Sequence, residues 1–323
     1  MAVPTNTVQT FSRNSIREDL TNIISNISPT DTPFMSNIGT GKAKQRLHEW
    51  QKDSLASPDG DNKTIEGDDV TADPAAATSR LNNYTQLSDK AVSVSSTARA
   101  VDNAGYADEL AYQVSKRAKE LKRDIETRIN GNFAAVPGGA GTAGETAGSV
   151  AFMYTNVDAE ATGTDPTLSG GTSGYPNAAA GAGVARAFTE AQLKNVHELA
   201  WTEGGEPTML IMSGKLKQVA STFSGIAAQR KENTRGQATI IGAADVYVGD
   251  FGEVSFVPSR FCPTDVAQLI DPSLWKLMDL QPYQLEDLAK TGHSDKKMLS
   301  REYVLQCQNE AGNGIIRDLD PDA

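Results

Sequence analysis

The longest regular pattern of apolar positions runs through DNAGYADELAYQVSKRAKELKRDIETRINGNF, from Asp102 to Phe133. Leu110, Val114, Ala118, Leu121, Ile125 and Ile129 recur at steps of four and three, which aligns them along one side of a helix with about 3.6 residues per turn. Asp102 or Asn103 can cap the start by accepting a bond from a free backbone N–H, and Asp108 and Glu109 add negative charge to the first turns. Gly131 marks the end. Lys116, Lys119, Glu120, Lys122, Arg123, Asp124, Glu126 and Arg128 form the other face, with opposite charges four apart in Lys116/Glu120 and Asp124/Arg128. Two readings stand: a solvated face over an ordinary core helix, or a girder whose outer side meets neighbouring subunits.

Before this helix the pattern is weak. A single stripe, Ile16, Leu20, Ile23, Ile24 and Ile27, predicts a short helix that ends at Ser28-Pro29, and Thr32-Pro33-Phe34 then exposes an aromatic anchor in extended chain. Gln45 to Gln51 alternates like a strand, and Leu87 to Val94 does so again. Between them lie Pro58, Gly60, Gly67, Pro74 and many acidic residues, so the expectation is a long hairpin with a polar tip. Such a loop has no core of its own, and its length makes sense if it lies across another molecule. Ala134 to Ala187 is rich in Gly, Ala, Ser and Thr and reads as a linker or surface excursion, with a short strand at Val150 to Thr155.

A second structured region opens at Thr189-Glu190-Ala191-Gln192, a capping box, with Leu193, Val196, Leu199 and Ala200 as its buried stripe and Gly204-Gly205 as its stop. Thr208 to Met212 reads as a buried strand, and Ser213 caps a helix through Leu216, Val219 and Phe223. Ala228 to Gly236, with Arg230, Lys231 and Arg235, reads as an exposed basic loop. Strands follow at Val246 to Val248, Glu253 to Val257 and Val266 to Ile270, the first two joined by a turn at Gly249-Asp250-Phe251-Gly252. One long strand, MLSREYVLQCQ, then places Leu299, Tyr303, Leu305 and Cys307 on one side and Glu302, Gln306 and Gln308 on the other, and Ile315-Ile316 can pair back. Helices followed by strands predict an α+β fold.

Composition sharpens this picture. In 323 residues, 38% are hydrophobic and 6% aromatic, low for a compact enzyme and consistent with long surface-exposed segments. The net charge of −11 argues against nucleic acid as a tightly held ligand, because phosphate affinity comes mainly from Lys and Arg. No basic start precedes an apolar run and no stretch approaches the length of a membrane span, so a soluble protein made in the cytosol, with no membrane contact, is expected. Cys262 and Cys307 lack a nearby partner and read as small buried hydrophobes.

Candidate chemistry fails position by position. Gly139 to Gly144 spells GxGxxG, but it follows a helix rather than joining a strand to one. Gly41-Lys42 lacks the following Ser or Thr of a phosphate loop. His48, His197 and His293 have no metal-ligand spacing, and Asp59-Gly60-Asp61 with Glu66, Asp68 and Asp69 is only a fragment of a calcium loop. With no catalytic constellation, no cofactor and no metal site are expected. A soluble cytosolic enzyme is therefore only a remote reading.

The order of arm, polar hairpin, spine helix, mixed domain and terminal strands resembles the major capsid proteins of tailed bacteriophages, with the Hong Kong 97-type fold. The blocks TPFMSNIG, RLHEWQKDSL, ADELAYQVSKRAKELKRDIE, DVYVGDFGEVSFVPSRF and LAKTGHSDKKMLSREYVLQCQNE are similar to one family of that fold. The resemblance implies an arm (1–39), an extended loop (40–96), a peripheral domain with the spine helix (97–134), the Gly/Ala-rich insertion (135–187), an axial domain (188–280) and a return to the peripheral domain (281–323). It implies self-assembly into pentamers and hexamers of an icosahedral head enclosing DNA, in a virion assembled in the host cytoplasm, with the acidic balance leaving that DNA enclosed but not tightly bound; the alternative within a virion is another structural protein, of tail or baseplate type. Phe34, Trp50, Lys116, Arg117, Lys119, Arg123, Arg230, Lys231 and Arg235 are candidate subunit contacts. Candidate further partners are a separate scaffolding protein, since the arm is too short to carry a scaffolding segment, a portal and a decoration protein. No Lys and Asn pair is identifiable for an isopeptide weld, so assembly is expected to be noncovalent.

Overall fold

The computed structural model describes residues 30–69, 77–101, 108–223 and 245–322. The amino-terminal stripe from Ile16 to Ile27, the caps Asp102 and Asn103, and the basic loop with Arg230, Lys231 and Arg235 lie outside these residues. The first described elements are a short helix α1 (Pro33–Asn37) and four strands, β1 (Gly39–Lys42), β2 (Leu47–Lys52), β3 (Ser79–Tyr84) and β4 (Gln86–Ser95). A short helix α2 (Ser96–Ala100) leads to the spine helix α3 (Glu109–Ile129), which Asp108 caps by accepting the Leu110 N–H at 3.0 Å.

The apolar stripe of α3 packs as its spacing predicts. Leu121, Ile125 and Ile129 are fully buried and Leu110 is buried with β4, while Val114 and Ala118 are half-buried. Its charged face differs from the expected one. The predicted pairs four apart are replaced by bonds to other partners: Glu120 takes Arg117 at 2.5 Å, Asp124 takes Lys90 of β4 at 2.6 Å, and Arg128 takes Glu145 at 2.8 Å. Glu126 leaves the solvated face altogether and is fully buried. Arg117 lies one turn back on the same helix, whereas for Asp124 and Arg128 the neighbouring segments that pack over the carboxyl half supply the partners.

Two sheets carry the rest. β1, a long strand β13 (Trp275–Asp287), β14 (Ser294–Cys307) and β4 form a four-stranded sheet in the order β1-β13-β14-β4. The expected hairpin between β2 and Leu87–Val94 is corrected here. β2 pairs with β3, from Leu47↔Tyr84 to Lys52↔Ser79, whereas β4 pairs along ten positions with β14 and packs Val92 and Val94 against Leu110. β13 has no counterpart in the sequence reading, because Pro282 interrupts its pattern. The ladder shifts register on both sides of Gln281, so the proline sits where a donor is not needed. β14 was expected to bury one side only, yet Val304 and Gln306 are buried too. The loop root covers that second face: His48 bonds Gln306 at 3.1 Å and Thr85 Oγ1 donates to Glu302 at 2.6 Å.

The Gly/Ala-rich stretch is packed into the body rather than looping away from it. Val150 lies in a helical turn α4 (Ser149–Phe152), every residue of which is buried, and not in a strand. β5 (Val157–Asp158), β6 (Thr167–Leu168), β7 (Pro176–Ala178) and β8 (Arg186–Ala187) follow. Small residues permit this packing by letting backbones meet: a Cβ on Gly148 would stand 2.1 Å from the Gly131 carbonyl oxygen. Asp318, at a φ of 60°, ties the stretch down by accepting the N–H groups of Glu160 at 3.1 Å and Gly183 at 2.7 Å. Ion pairs Arg186–Asp158 and Arg317–Asp165 close the same knot.

The mixed region follows the sequence reading closely. α5 (Glu190–Thr202) carries its capping box, with Gln192 Oε1 accepting the Thr189 N–H at 2.9 Å, and Gly204 leaves the helix at a φ of 85°. After β9 (Met209–Met212) and α6 (Gly214–Ala220), β10 (Val246–Gly249) and β11 (Gly252–Pro258) form the expected hairpin. They join β12 (Ala267–Ile270) and β15 (Gly314–Ile316) in a six-stranded sheet of order β10-β11-β9-β12-β15-β5. Ile315 and Ile316 therefore pair with β12 and β5, not back on the long strand as expected, because their side chains complete this sheet's core. β16 (Leu319–Asp320) pairs with β8. Cys262 and Cys307 are free and buried, as read from the sequence.

Candidate assembly surfaces

The aromatic residues offered as subunit contacts face inward. Pro33, at the first position of α1, starts a helical turn where extended chain was expected, and Phe34 is fully buried with its ring edge-on to Trp275 at 5.8 Å. Trp50 is 9% exposed, packed 6.1 Å from Phe152 and 5.7 Å from His48. Both anchor their own chain. A pattern of isolated aromatics in polar sequence cannot tell an inward anchor from an outward one, since that depends on which segment returns to cover it.

Glu126 is what holds Phe34 in place. Its two carboxylate oxygens accept the Phe34 N–H at 2.8 Å and the Met35 N–H at 2.9 Å. Burial pushes this carboxyl above the usual glutamate range, against the two N–H groups and Lys122, which favour the charged form. The segment leading into the body is thus clamped to the spine helix. Sequence reading missed this role, because Glu126 stands in a run of charges.

The basic stripe does face outward. Lys116 and Lys119 are exposed, and Arg117 and Arg123 are half-buried, Arg117 through its pair with Glu120 and Arg123 with its guanidinium 5.8 Å from the Phe261 ring. With Thr30, Tyr112, Ser115 and Glu120, three of these four residues (Lys116, Lys119 and Arg123) line a shallow groove along α3.

The extended loop projects from a firm root. Besides the β2–β3 ladder and Trp50, Lys52 reaches the buried Glu310 at 3.6 Å, and Glu310 also accepts the Thr155 hydroxyl at 2.6 Å. Beyond Lys52, every described residue from Asp53 to Asp69 is exposed. Leu55 is 99% exposed and Ile65 77% exposed, amid Asp53, Asp59, Asp61, Glu66, Asp68 and Asp69. Sequence reading recognised the acidic tip and passed over its two apolar residues, whose isolation is itself the usable signal.

Among the described residues, the motifs weighed for chemistry are taken up by the fold. The GxGxxG stretch forms a tight turn, with Gly139 and Thr142 bonded to each other, and does not open a helix. His197 is buried beside Phe251, which holds its pKa below the ordinary value. Among the described residues, no three His, Cys, Asp or Glu side chains are grouped to hold a metal ion, and no helix is long and apolar enough to cross a membrane.

Comparison with known proteins agrees with this arrangement of projecting segments around a packed body. The chain is 28% identical over 351 residues to the major capsid protein of Escherichia phage Phieco32, covering 98% of this chain and 97% of that one. Its fold matches the capsid asymmetric unit of cyanophage A-1(L) with a TM-score of 0.70 at 11% identity, over 97% of this chain and 99% of the other. The capsid structure of cyanophage P-SCSP1u gives 0.61 at 9% identity, over 98% and 96%. These likenesses establish the α+β, Hong Kong 97-type architecture. The family model described as SU10 major capsid protein matches residues 3–320. On that match across almost its whole length, the chain belongs to the SU10 major capsid protein family.

Proposed function

We propose that this phage capsid protein closes an icosahedral head from pentamers and hexamers, and that the acidic tip of the extended loop seats on the basic stripe of α3 in an adjacent subunit. One observation carries the reading: Leu55 and Ile65 stand almost fully exposed on a loop whose root is locked by Trp50 and by Lys52–Glu310. A rigid stem that presents uncovered apolar side chains is completed by a second copy, and closed symmetry supplies one for every subunit. The surrounding carboxylates are opposite in charge to Lys116, Arg117, Lys119 and Arg123, a complementarity that sets register more than strength.

The double variant Lys116→Glu/Lys119→Glu tests the pairing. Both side chains are exposed, so the subunit is expected to melt like the parent. Shell yield by negative-stain microscopy is expected to fall at least tenfold. Adding Asp59→Lys and Asp61→Lys in the same chain is expected to restore much of it. Normal shells from the double variant would overturn the pairing.

Residues 1–39 share in tying neighbours, and residues 188–280 surround the symmetry axes. A separate scaffolding protein, a portal and a decoration protein complete the head, which assembles in the host cytoplasm. The net charge of −11 keeps enclosed DNA from adhering to the wall. Purified subunits are expected not to retard duplex DNA on a gel at low salt, and tight binding there would refute this role of the charge.

A further inference from the structure

The stem of the extended loop rests on two different supports. Its inner end lies on β14, where His48 bonds Gln306 at 3.1 Å and the buried Asn83 donates its side-chain N–H to the Leu305 carbonyl at 2.7 Å. Farther out, β3 hangs on the backbone of Gly174 by two bonds, Asn82 N–H to the Gly174 carbonyl at 3.0 Å and Gly174 N–H to the Arg80 carbonyl at 2.9 Å. Such a line of bonds along one edge fixes position and leaves tilt about that edge to be set from the other strand. On that side Trp50 packs against Phe152, but its indole N–H has no partner among the described residues. Lys52, the last residue of β2, supplies the directed contact by reaching Glu310 at 3.6 Å.

Glu310 does not depend on Lys52 for its own place. Its side chain is 3% exposed and accepts the Thr155 hydroxyl at 2.6 Å and the Thr155 N–H at 3.3 Å. It stands in the turn Glu310–Gly312, on the link that carries the chain from β14 to β15, from one sheet to the other. The second such link, from β12 to β13, is stapled to the first. Gln308 N–H donates to the Leu274 carbonyl at 2.8 Å, and the fully buried Asn313 accepts the Asp271 N–H and the Trp275 Nε1–H, each at 2.9 Å. Gly205, just beyond α5, presses on the same turn: a Cβ there would stand 2.5 Å from the Gly312 Cα. A buried carboxylate so fixed holds a cation at one point, because withdrawing the lysine leaves an unpaired buried charge.

We propose that Glu310 is the positioning residue of the extended loop: through Lys52 it fixes the tilt of the stem about its Gly174 edge, and so refers the aim of the loop to the junction between the two sheets. Its bearing on assembly rests on the seating of the loop proposed above, but the positioning itself is measurable on unassembled subunits.

Spin labels on Ser54→Cys, just past the stem, and on Thr127→Cys, on the exposed side of α3, report the stem-to-body distance in the full-length chain, with Cys262 and Cys307 buried and unlabelled. The parent is expected to give one narrow distance distribution. Lys52→Met keeps the aliphatic part of the side chain and removes the charge, and Glu310→Gln keeps an acceptor for Thr155. Each is expected to broaden the distribution about twofold, the double variant no further than either single change, because both cut one contact. Lys52→Arg is expected to return the parent's width. A pair that only stabilised the fold would lower the melting temperature and leave the distribution alone. Equal widths in the parent and Lys52→Met overturn the proposal, and so does a double variant broader than both single ones. Shell yield separates this from the assembly reading: a broadened Lys52→Met loop that still closes shells at the parent's yield would sink that reading and leave the positioning in place.

Discussion

A chain lacking Asp53–Asp73 is expected to fold and to close no shells. The described residues of this segment are exposed from Asp53 to Asp69, so their loss removes nothing from either core. Lys52 and Ser79 already stand opposite each other in the β2–β3 ladder, and the residues left after the deletion are a short connection whose closure costs less than the parent loop's. The melting temperature is therefore expected to stay within about 3 °C of the parent, a shift worth about 2 kcal/mol or less for a protein of this size. Assembly is expected to fail because the deletion takes Leu55 and Ile65, the most exposed large apolar side chains of the described chain, together with the carboxylates around them. Size exclusion and negative-stain microscopy decide the matter, and polyhedral shells of normal form would remove the loop from the mechanism.

Phe34→Ala is the converse case, a change expected to act on the fold before it acts on assembly. It empties a fully buried aromatic site beside Trp275, a loss of about 3–5 kcal/mol. Glu126→Ala attacks the same joint by stripping the acceptor from the buried Phe34 N–H, about 1–3 kcal/mol, and from the half-buried Met35 N–H, which water can partly compensate. Because both changes release one segment, the double variant is expected to lose less than the sum. Glu126 also gives a pH signature. Burial raises its folded pKa above the unfolded value, so its stabilising contribution is fully present below about pH 4.3 and is lost as pH rises through the folded value. Denaturant melts across this range are expected to show a slope that Glu126→Gln abolishes. An unchanged slope would mean that another group titrates there.

What could be read before any coordinates were known depended on range. The stripe of α3, the capping box of α5, the β10–β11 turn and the inert cysteines are each set by residues a few positions apart, and all appear in the structure. Where the partner is distant, the reading faltered. Leu87–Val94 alternates like a hairpin arm, and nothing within it says that its partner is Ser294–Tyr303. Pro282 masks β13 because a proline is acceptable only at a bulge that the opposing strand creates. The Gly/Ala-rich stretch has the composition of a linker, yet its small residues are what allow Gly148 to press on Gly131.

The amino-acid sequence by itself determined the local periods, caps and turns, the acidic balance, and the family, because each is written in neighbouring residues or in whole blocks of wording. Only the tertiary structure decided which side chains are inside. Phe34 and Trp50 turned inward, Glu126 left the charged face to clamp the incoming segment, and Leu55 and Ile65 stayed out. The physical reason is that burial is a property of what comes back to cover a residue, and contacts separated by 90 or more positions, such as Phe34 with Glu126, leave no mark in either segment alone.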